Sequence, residues 1–239
     1  MCGRYYWKRK YDLDRAPFAG RAKTPFDTSP NWNVAPTQEV PIIRTNLGEE
    51  EGGLTLAHWG LVPFWSKDKK FSSKMINARL ETAASKPAFR TPFRRRRCLV
   101  PADGYYEWKT TKSGVKQPYA IYPETQETFF MGGLWDTWKS TEGLILNSFS
   151  ILTREAAPVL SELHHRMPLI LREGAFEPWL DPDLQSPEKI EEIIDAYSIG
   201  DEFHFHPVST RVNSVRNNDP ELIRPVPLQT ALTPVFKGE

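Results

Sequence analysis

The sequence predicts an α+β protein with a single domain, in which a mostly antiparallel, partly closed β-sheet or barrel core carries short peripheral helices. Many short segments have the residue patterns of strands, and few have helical spacing. The 21 prolines and 14 glycines among 239 residues favour frequent turns over long helices. A chain of this length can bury the core of one large domain. We therefore assign residues 1–239 to one domain, with its core at about 2–225 and a tail at 226–239.

The predicted strands begin at the amino terminus, where CGRYYWKR alternates side chains. Residues 40–45 and 54–60 flank the polar stretch LGEEEGG and resemble a hairpin with a long connection. Residues 98–109, CLVPADGYYEWK, suggest a buried strand, a turn and an alternating strand. Further strands are predicted at 117–123, 128–138, 144–153, 167–171 and 203–209.

The predicted helices are short. Residues 187–197 place Ile190, Ile193, Ile194 and Tyr197 at helical spacing. Other helices are predicted at 12–22, from about Glu81 to 90, at 158–164 and at 174–180. Loops are predicted at 24–36, 61–71 and from Asn213 onward. The arginines at 90 and 94–97 form the densest charge cluster and are expected at a solvated helix end, with a phosphate contact as the alternative.

Charge is divided unevenly along the chain although the net charge is +1. Residues 1–120 hold 22 Lys and Arg against 11 Asp and Glu, whereas residues 121–239 hold 9 against 19. A basic half suggests a polyanionic partner, but the two halves can also neutralise each other within one domain. The sequence has no apolar run long enough to span a membrane and no signal-peptide pattern at its start. We expect a cytoplasmic protein that contacts no membrane.

Cys2 is the first candidate for chemistry. Methionine followed by a small residue is a substrate of methionine aminopeptidase, and loss of Met1 would leave Cys2 with a free α-amine beside its thiol. This 1,2-aminothiol condenses with an aldehyde to an imine, and the sulfur then closes a five-membered thiazolidine ring. Ordinary pKa values of about 7.7–8.0 for an α-amine and about 8.5 for a thiol place both nucleophiles within reach near neutral pH. The alternative is that the chain begins Met-Cys by accident.

Three further segments carry reactive groups at predicted strand ends. They contribute Asn77 and Arg79, then Glu107 flanked by Tyr106 and Trp108, then His164, His165 and Arg166. A carboxylate between aromatic rings can be partly desolvated, which raises its pKa towards acid–base catalysis. The ordinary alternative is a surface glutamate on a half-exposed strand. Phe64 and Trp65, near lysines in the 61–71 loop, suit base stacking, although most aromatic residues simply cover a core.

Metal binding is not predicted. Adjacent His164 and His165 are expected to point apart, and His204 with His206 share a strand face without a third ligand nearby in sequence. Two cysteines, Cys2 and Cys98, provide neither a disulfide framework nor a zinc knuckle. No cofactor-binding motif is present. Cys98 is expected to be a buried strand residue.

Seven motifs then occur in a fixed order, namely MCGR, NVAP (33–36), WGLVPFW (59–65), NAR.ET (77–82), RRCLVPADGYYEWK (96–109), HRMPLIL (165–171) and HPVS (206–209). Their combination resembles the SOS response-associated peptidase family, which processes abasic sites in DNA. The resemblance runs from Cys2 to about Pro225. It implies a monomer that binds abasic sites in single-stranded DNA near a duplex junction and associates with the nucleoid when bound.

The resemblance also implies roles for individual residues. Mature Cys2 crosslinks to the sugar aldehyde, Asn77 holds its amine or the sugar, and Glu107 serves imine formation as acid and base. His164 corresponds to the histidine that opens the sugar ring. Most family members have an acidic residue directly after this histidine, whereas this chain has His165, so His165 is the alternative. The residues expected to contact DNA are Arg4, Arg79, Arg166, Phe64, Trp65 and Trp108.

Three alternatives remain open from the sequence. Cys2, Glu107 and His164 can form a thiol peptidase that removes Met1 and cuts other proteins. The chain can instead be a non-catalytic module that binds abasic DNA, with Cys2 incidental. A weak abasic-site lyase activity is also compatible, because the imine permits β-elimination.

Overall fold

The computed structural model describes residues 2–8, 29–45, 53–70, 72–111 and 113–228. Its strands are β1 (Tyr5–Trp7), β2 (Asn31–Val34), β3 (Glu39–Arg44), β4 (Gly53–Trp59), β5 (Asn77–Arg79), β6 (Arg97–Ala102), β7 (Gly104–Thr110), β8 (Lys116–Pro123), β9 (Phe129–Lys139), β10 (Ile145–Glu155), β11 (Arg166–Pro168), β12 (Ile170–Leu171), β13 (Ser198–Ile199) and β14 (Phe203–Pro207). The α-helices are α1 (Leu80–Ala83), α2 (Arg90–Arg95), α3 (Pro158–Ser161), α4 (Phe176–Leu180) and α5 (Pro187–Tyr197). Four 3-10 helices lie at Ser72–Lys74, Glu173–Ala175, Thr210–Asn213 and Pro220–Ile223.

Five strands close into a barrel. They run in the order β10, β4, β3, β6 and β9, and β9 pairs with β10 to complete the ring. The pairings are antiparallel except that β4 runs parallel to β10. The predicted α+β fold class with a mostly antiparallel sheet or barrel core is confirmed, and the ring, predicted to be partly closed, is closed by the pairing of β9 with β10.

A second sheet has five strands in the order β14, β8, β7, β1 and β2. Residues from this sheet and from the barrel share one buried cluster, which contains Cys2, Tyr5, Trp59, Met131 and Phe149. Strand β1 belongs to this second sheet and packs its buried side chains against the barrel. This position makes Cys2 part of the core.

Helices cover the remaining apolar surface of the barrel. Trp179 of α4 and Ile190 and Ile194 of α5 join a second buried cluster with Leu99 and Leu134 of the barrel strands. Helix α5 has the predicted bounds, and Ser186 caps its first turn by accepting a hydrogen bond from the Lys189 backbone. None of the helices in the described ranges is long and apolar enough to cross a membrane.

Several local predictions need correction. The expected 24–36 loop contains strand β2, because pairing with β1 outweighs the Pro- and Asn-rich composition. The expected irregular start at Asn77 is strand β5, which pairs with β10. The helix predicted at 158–164 ends at Ser161, and the strand predicted at 167–171 is divided into β11 and β12. The helix predicted at 12–22 and the tail from 229 lie outside the described residues.

The arginine cluster is only partly solvated. Arg97 is 3% exposed, and its guanidinium donates to the backbone oxygens of Trp179 and Arg94 at 2.6 and 2.7 Å. Arg96 pairs with the buried Asp136 at 2.5 Å. Arg90, Arg94 and Arg95 are exposed as predicted. Two of the five arginines, Arg96 and Arg97, therefore serve the fold.

Candidate active site

Cys2 lies three residues before Tyr5, the first residue of β1, and β1 pairs with both β2 and β7. The Tyr106 backbone N–H donates to the Arg4 oxygen at 2.9 Å, which continues this pairing towards the amino terminus. The Cys2 side chain is completely buried. Burial raises the pKa of its thiol, and the Glu107 carboxylate raises it further, while the positive amino terminus and an Arg4 backbone hydrogen bond act in the opposite direction. The thiol therefore needs a base before it can act as a nucleophile.

Asn77 holds the Cys2 backbone. Strand β5 runs parallel to β10 and places Asn77 opposite Ile151. From there the Asn77 Nδ2 donates a 2.8 Å hydrogen bond to the Cys2 carbonyl oxygen. The Asn77 Oδ1 is buried and has no hydrogen-bond partner within the described ranges. An acceptor beside Cys2 is thus available to an amine or a sugar hydroxyl.

Glu107 lies on β7, next to the strand that continues from Cys2. In the β1–β7 pairing, Tyr5 lies opposite Tyr105 and Tyr6 opposite Gly104. The same register, extended two residues from Tyr5 towards the amino terminus, brings Gly3 opposite Glu107. Glu107 is 4% exposed, so the interpretation as a surface glutamate is wrong. Burial raises the pKa of its carboxyl, whereas the charge and hydrogen bond of the amino terminus and a Trp108 backbone hydrogen bond lower it. Such a carboxyl can exchange protons closer to neutral pH than a solvated one.

His164 follows the short helix α3. The Arg166 backbone N–H donates to its Nδ1 at 2.9 Å, so the neutral ring carries its proton on Nε2. The same Nδ1 lies 3.2 Å from the Arg166 carbonyl oxygen, which can accept a hydrogen bond from Nδ1–H when the ring is charged. Burial lowers the pKa of His164, and the positive amino terminus lowers it further. Because Nδ1 faces the backbone, Nε2 is the nitrogen that can serve a substrate.

The adjacent histidine has a different environment. His165 is exposed, and its ring stacks on that of His164 with centroids 4.4 Å apart. The prediction that the two rings point apart is therefore wrong. Glu162, two residues before His164, pairs with Lys109 of β7 at 2.9 Å, which places this segment beside the strand that carries Glu107.

The three predicted phosphate-binding arginines have unequal freedom. Arg4 donates from Nη1 to Asn33 Oδ1 at 2.6 Å and to the Val212 oxygen at 2.7 Å. Arg166 forms a bidentate pair with Glu81, at 2.6 Å for Nη1–Oε1 and 2.9 Å for Nη2–Oε2. Arg79 is exposed. Arg79 is therefore the most accessible of the three cations.

The predicted stacking residues fall into two groups. Phe64 and Trp65 are 55% and 56% exposed, so they do not cover a core. Trp108 is half-buried, and its indole N–H donates to Asn213 Oδ1 at 2.8 Å. Its ring lies 6.0 Å from the Arg4 guanidinium carbon. The first two rings face solvent, while Trp108 is held by Asn213 at the end of the Thr210–Asn213 3-10 helix.

A groove of about 630 Å³ brings together three of the predicted site residues. Asn77 and Arg79 line it together with Trp65 and apolar side chains such as Met75 and Phe89. Its lining also includes the cations Lys74 and Lys86 and the carboxylate Asp68. Sequence reasoning did not identify Lys74, three positions before Asn77, or Lys86, seven positions after Arg79. It also gave no role to Glu81, although this residue belongs to the quoted NAR.ET motif.

Within the described ranges, no group of three or more His, Cys, Asp and Glu residues is arranged to hold a metal ion. His204 is exposed, and His206 contacts the Ile223 oxygen at 2.7 Å through Nε2. The candidate active site itself contains a thiol, a carboxyl, an amide and an imidazole.

Comparison with known proteins gives concordant matches. The family model described as SOS response associated peptidase (SRAP) matches residues 1–215. The abasic site processing protein YoqW of Bacillus subtilis is 36% identical over 225 residues, which cover 93% of this chain and 99% of YoqW. The abasic site processing protein HMCES of Gallus gallus is 35% identical over 230 residues, covering 83% of this chain and 67% of that protein.

Solved structures share the fold. A crystal structure of a Bacteroides thetaiotaomicron protein superposes with a TM-score of 0.78 at 26% identity, covering 94% of this chain and all of that one. A phage-related protein of Bordetella bronchiseptica gives a TM-score of 0.68 at 28% identity, with coverage of 87% and 95%.

Proposed function

The chain belongs to the SOS response associated peptidase family, and from that premise we propose that it crosslinks covalently to abasic sites in single-stranded DNA through Cys2. Abasic-site processing is the activity named for its relatives YoqW and HMCES. The observation that carries the proposal is the hydrogen bond from Asn77 to the Cys2 carbonyl, beside the buried Glu107. This contact fixes the amino-terminal residue in a site with two further proton-transfer groups.

The reaction requires that Met1 be removed, because the peptide bond otherwise occupies the Cys2 nitrogen. The free α-amine attacks the aldehyde carbon of the opened sugar and gives a carbinolamine. Loss of water, assisted by a proton from a neighbouring acid, yields a protonated imine. The Cys2 sulfur then adds to the same carbon, and the thiol proton returns to that acid. One C–N and one C–S bond form, and the aldehyde oxygen leaves as water.

The neighbouring side chains suit these steps. Glu107, whose pKa is raised by burial, protonates the departing hydroxyl and then accepts the thiol proton. His164 presents Nε2 to the sugar ring oxygen and assists ring opening. The buried Oδ1 of Asn77 accepts a hydrogen bond from the amine or a sugar hydroxyl. Arg79 binds a flanking phosphate, and the exposed Phe64 and Trp65 stack on unpaired bases.

The test is a denaturing gel of protein with an oligonucleotide that contains one abasic site, read beside the intact mass of the protein. We expect a heat-stable band from protein that lacks Met1, and no band from Cys2→Ala. A matched control inserts one alanine between Met1 and Cys2, which keeps the thiol but moves the free amine. Absence of a band from fully Met1-free wild-type protein would refute the crosslink and favour passive binding.

A thiol autopeptidase is the second candidate. The Cys2 thiol is completely buried, and the Glu107 carboxylate is close enough to act on its pKa. Self-removal of Met1 would use Cys2 and Glu107, whereas co-translational trimming needs neither. Intact mass distinguishes them: a Glu107→Gln variant that retains Met1 supports self-removal, and one that loses Met1 excludes a need for this carboxyl.

The imine also bears on lyase activity. A Cys2→Ser variant keeps the amine but lacks the sulfur that closes a stable thiazolidine. We expect this variant to form an imine that borohydride traps and to cleave DNA slowly by β-elimination. A Cys2→Ser variant that gives neither product would exclude attack by the α-amine.

A further inference from the structure

The most exposed aromatic side chains of the site belong to a tight turn, Pro63–Ser66, which we name the aromatic turn. The Ser66 backbone N–H donates to the Pro63 oxygen at 2.9 Å and closes it. Phe64 and Trp65 occupy its two central positions, and both are more than half exposed. Adjacent exposed aromatic rings on an ordered turn are typical of a binding surface.

A buried carboxylate fixes the first ring of the aromatic turn. The Phe64 backbone N–H donates to Asp136 Oδ2 at 2.9 Å, and Arg96 Nη1 pairs with Asp136 Oδ1 at 2.5 Å. Only 1% of the Asp136 side chain is exposed. The Arg96 guanidinium carbon also lies 6.0 Å from the centre of the Phe64 ring. Asp136 thus holds both the backbone of the turn and the cation beside its ring.

Two further side chains hold the ends of the turn. The Val62 backbone N–H donates to Ser148 Oγ at 2.8 Å, and the Trp138 indole N–H donates to the Ser66 oxygen at 2.7 Å. Asp136 and Trp138 come from β9, and Ser148 comes from β10, two barrel strands that pair with each other. The aromatic turn is therefore fastened at three points to the most extensive strand pairing of the barrel.

The turn faces the reaction site. Trp65 lines the same 630 Å³ groove as Asn77, and Asn77 holds Cys2. Arg79, which lies on the same groove, can bind the phosphate beside a stacked base. A base next to an abasic residue has lost one stacking neighbour, and an aromatic ring can replace it.

We propose that Asp136 and Trp138 are positioning residues that hold the aromatic turn as a preformed stacking platform for the nucleobase adjoining the abasic residue. This inference rests on the proposed function. A turn that is already fixed needs no ordering when DNA binds, so stacking contributes more fully to affinity. Positioning residues should therefore affect DNA binding and leave the chemistry of Cys2 intact.

The chain offers a matched pair of variants. Trp138→Phe removes the indole N–H that holds Ser66. Trp135→Phe on the same strand removes an N–H that has no hydrogen-bond partner in the described part of the chain. Both tryptophans are 5% exposed, so the two changes are similar in size and burial. Asp136→Asn tests the carboxylate, and Trp65→Ala removes the platform itself.

The experiment measures affinity for a single-stranded oligonucleotide with a tetrahydrofuran abasic analogue, which has no aldehyde and cannot crosslink. We expect Trp65→Ala to weaken binding about tenfold. Trp138→Phe and Asp136→Asn should weaken it about 3- to 10-fold, and Trp135→Phe should leave it unchanged. Trp138→Phe combined with Trp65→Ala should bind no worse than Trp65→Ala alone, because positioning has no effect without the ring.

A direct readout separates positioning from general damage to the fold. With 2-aminopurine next to the tetrahydrofuran, stacking quenches fluorescence at saturating wild-type protein, and we expect weaker quenching with Trp138→Phe. Equal affinity and quenching for Trp138→Phe and Trp135→Phe would overturn the proposal, as would losses that simply add in the double variant. Crosslinking at saturating abasic DNA is measured separately: if wild type fails there, the proposed function fails, while the binding cycle still tests the platform.

Discussion

Replacement of Asn77 by alanine is the sharpest test of the reaction site. The change removes the 2.8 Å hydrogen bond from Nδ2 to the Cys2 oxygen, which contributes about 1 kcal/mol. It also removes Oδ1, the buried acceptor available to the Cys2 amine or the sugar. A hydrogen bond of that kind to a charged group is worth about 1.5–3 kcal/mol. The combined loss of about 2.5–4 kcal/mol corresponds to a crosslinking rate about 10²- to 10³-fold lower.

The assay is a single-turnover time course with saturating protein and an abasic oligonucleotide, quenched into denaturant. Asn77→Asp serves as the companion variant, since it keeps an oxygen acceptor but loses the N–H donor to Cys2. We expect its rate to fall less than that of Asn77→Ala if the acceptor dominates. A rate for Asn77→Ala within about threefold of wild type, on protein that lacks Met1, would refute the role of this amide.

Three further predictions concern acid–base chemistry and folding. Burial and the amino terminus lower the pKa of His164 below its usual 6.5, so the charged fraction of this ring grows only as the pH falls below that value. The crosslinking rate should therefore keep a His164-dependent component at acidic pH, and His164→Gln should lack that component. Parallel pH–rate profiles for the two proteins would exclude His164 as the acid. Arg97→Met leaves several backbone carbonyl oxygens without their donor, at a cost of about 1–3 kcal/mol each. We expect the free energy of unfolding to fall by at least about 3 kcal/mol and the melting temperature in calorimetry to fall by roughly 6–12 °C. An unchanged melting temperature would contradict this. Gly104→Ala places a Cβ in overlap with the ring and hydroxyl of Tyr6, and we expect a loss of about 1–3 kcal/mol in urea unfolding, with a neutral effect as the contrary result.

Local patterns were sufficient to predict most strands, because each buried strand repeats apolar residues at short range. Strands β7 and β9 and helix α5 lie where the sequence predicts them. The pairing of β5 with β10 is different, since it joins residues 74 positions apart through a three-residue strand. Such a short segment shows no periodicity, and only its partner makes it a strand.

Burial of the site residues could not be derived from the sequence either, because it also depends on residues that are distant along the chain. Alternation in YYEWK separates two faces of a strand, but it does not tell which face the rest of the chain covers. In the structure Tyr105, Tyr106 and Glu107 are all buried, because β7 has covered surface on both sides. The roles of Asp136 and Trp138 were equally hidden, since both occur in a strand that reads as an ordinary part of the core.

Cys2 presents a conflict between burial and reactivity. The completely buried thiol has a raised pKa, which opposes formation of the nucleophile. Asn77 holds the Cys2 carbonyl, and this contact does not involve the nitrogen that Met1 occupies. The site can therefore be assembled before Met1 is lost and keep the same contact afterwards.

Loss of Met1 would then change the electrostatics as well as the covalent structure. The positive charge that already opposes the rise in the Cys2 and Glu107 pKa values would move onto the Cys2 nitrogen itself. A positive charge closer to the sulfur stabilises the thiolate, so its pKa should fall. The same cleavage would thus supply the amine and make the thiol easier to deprotonate.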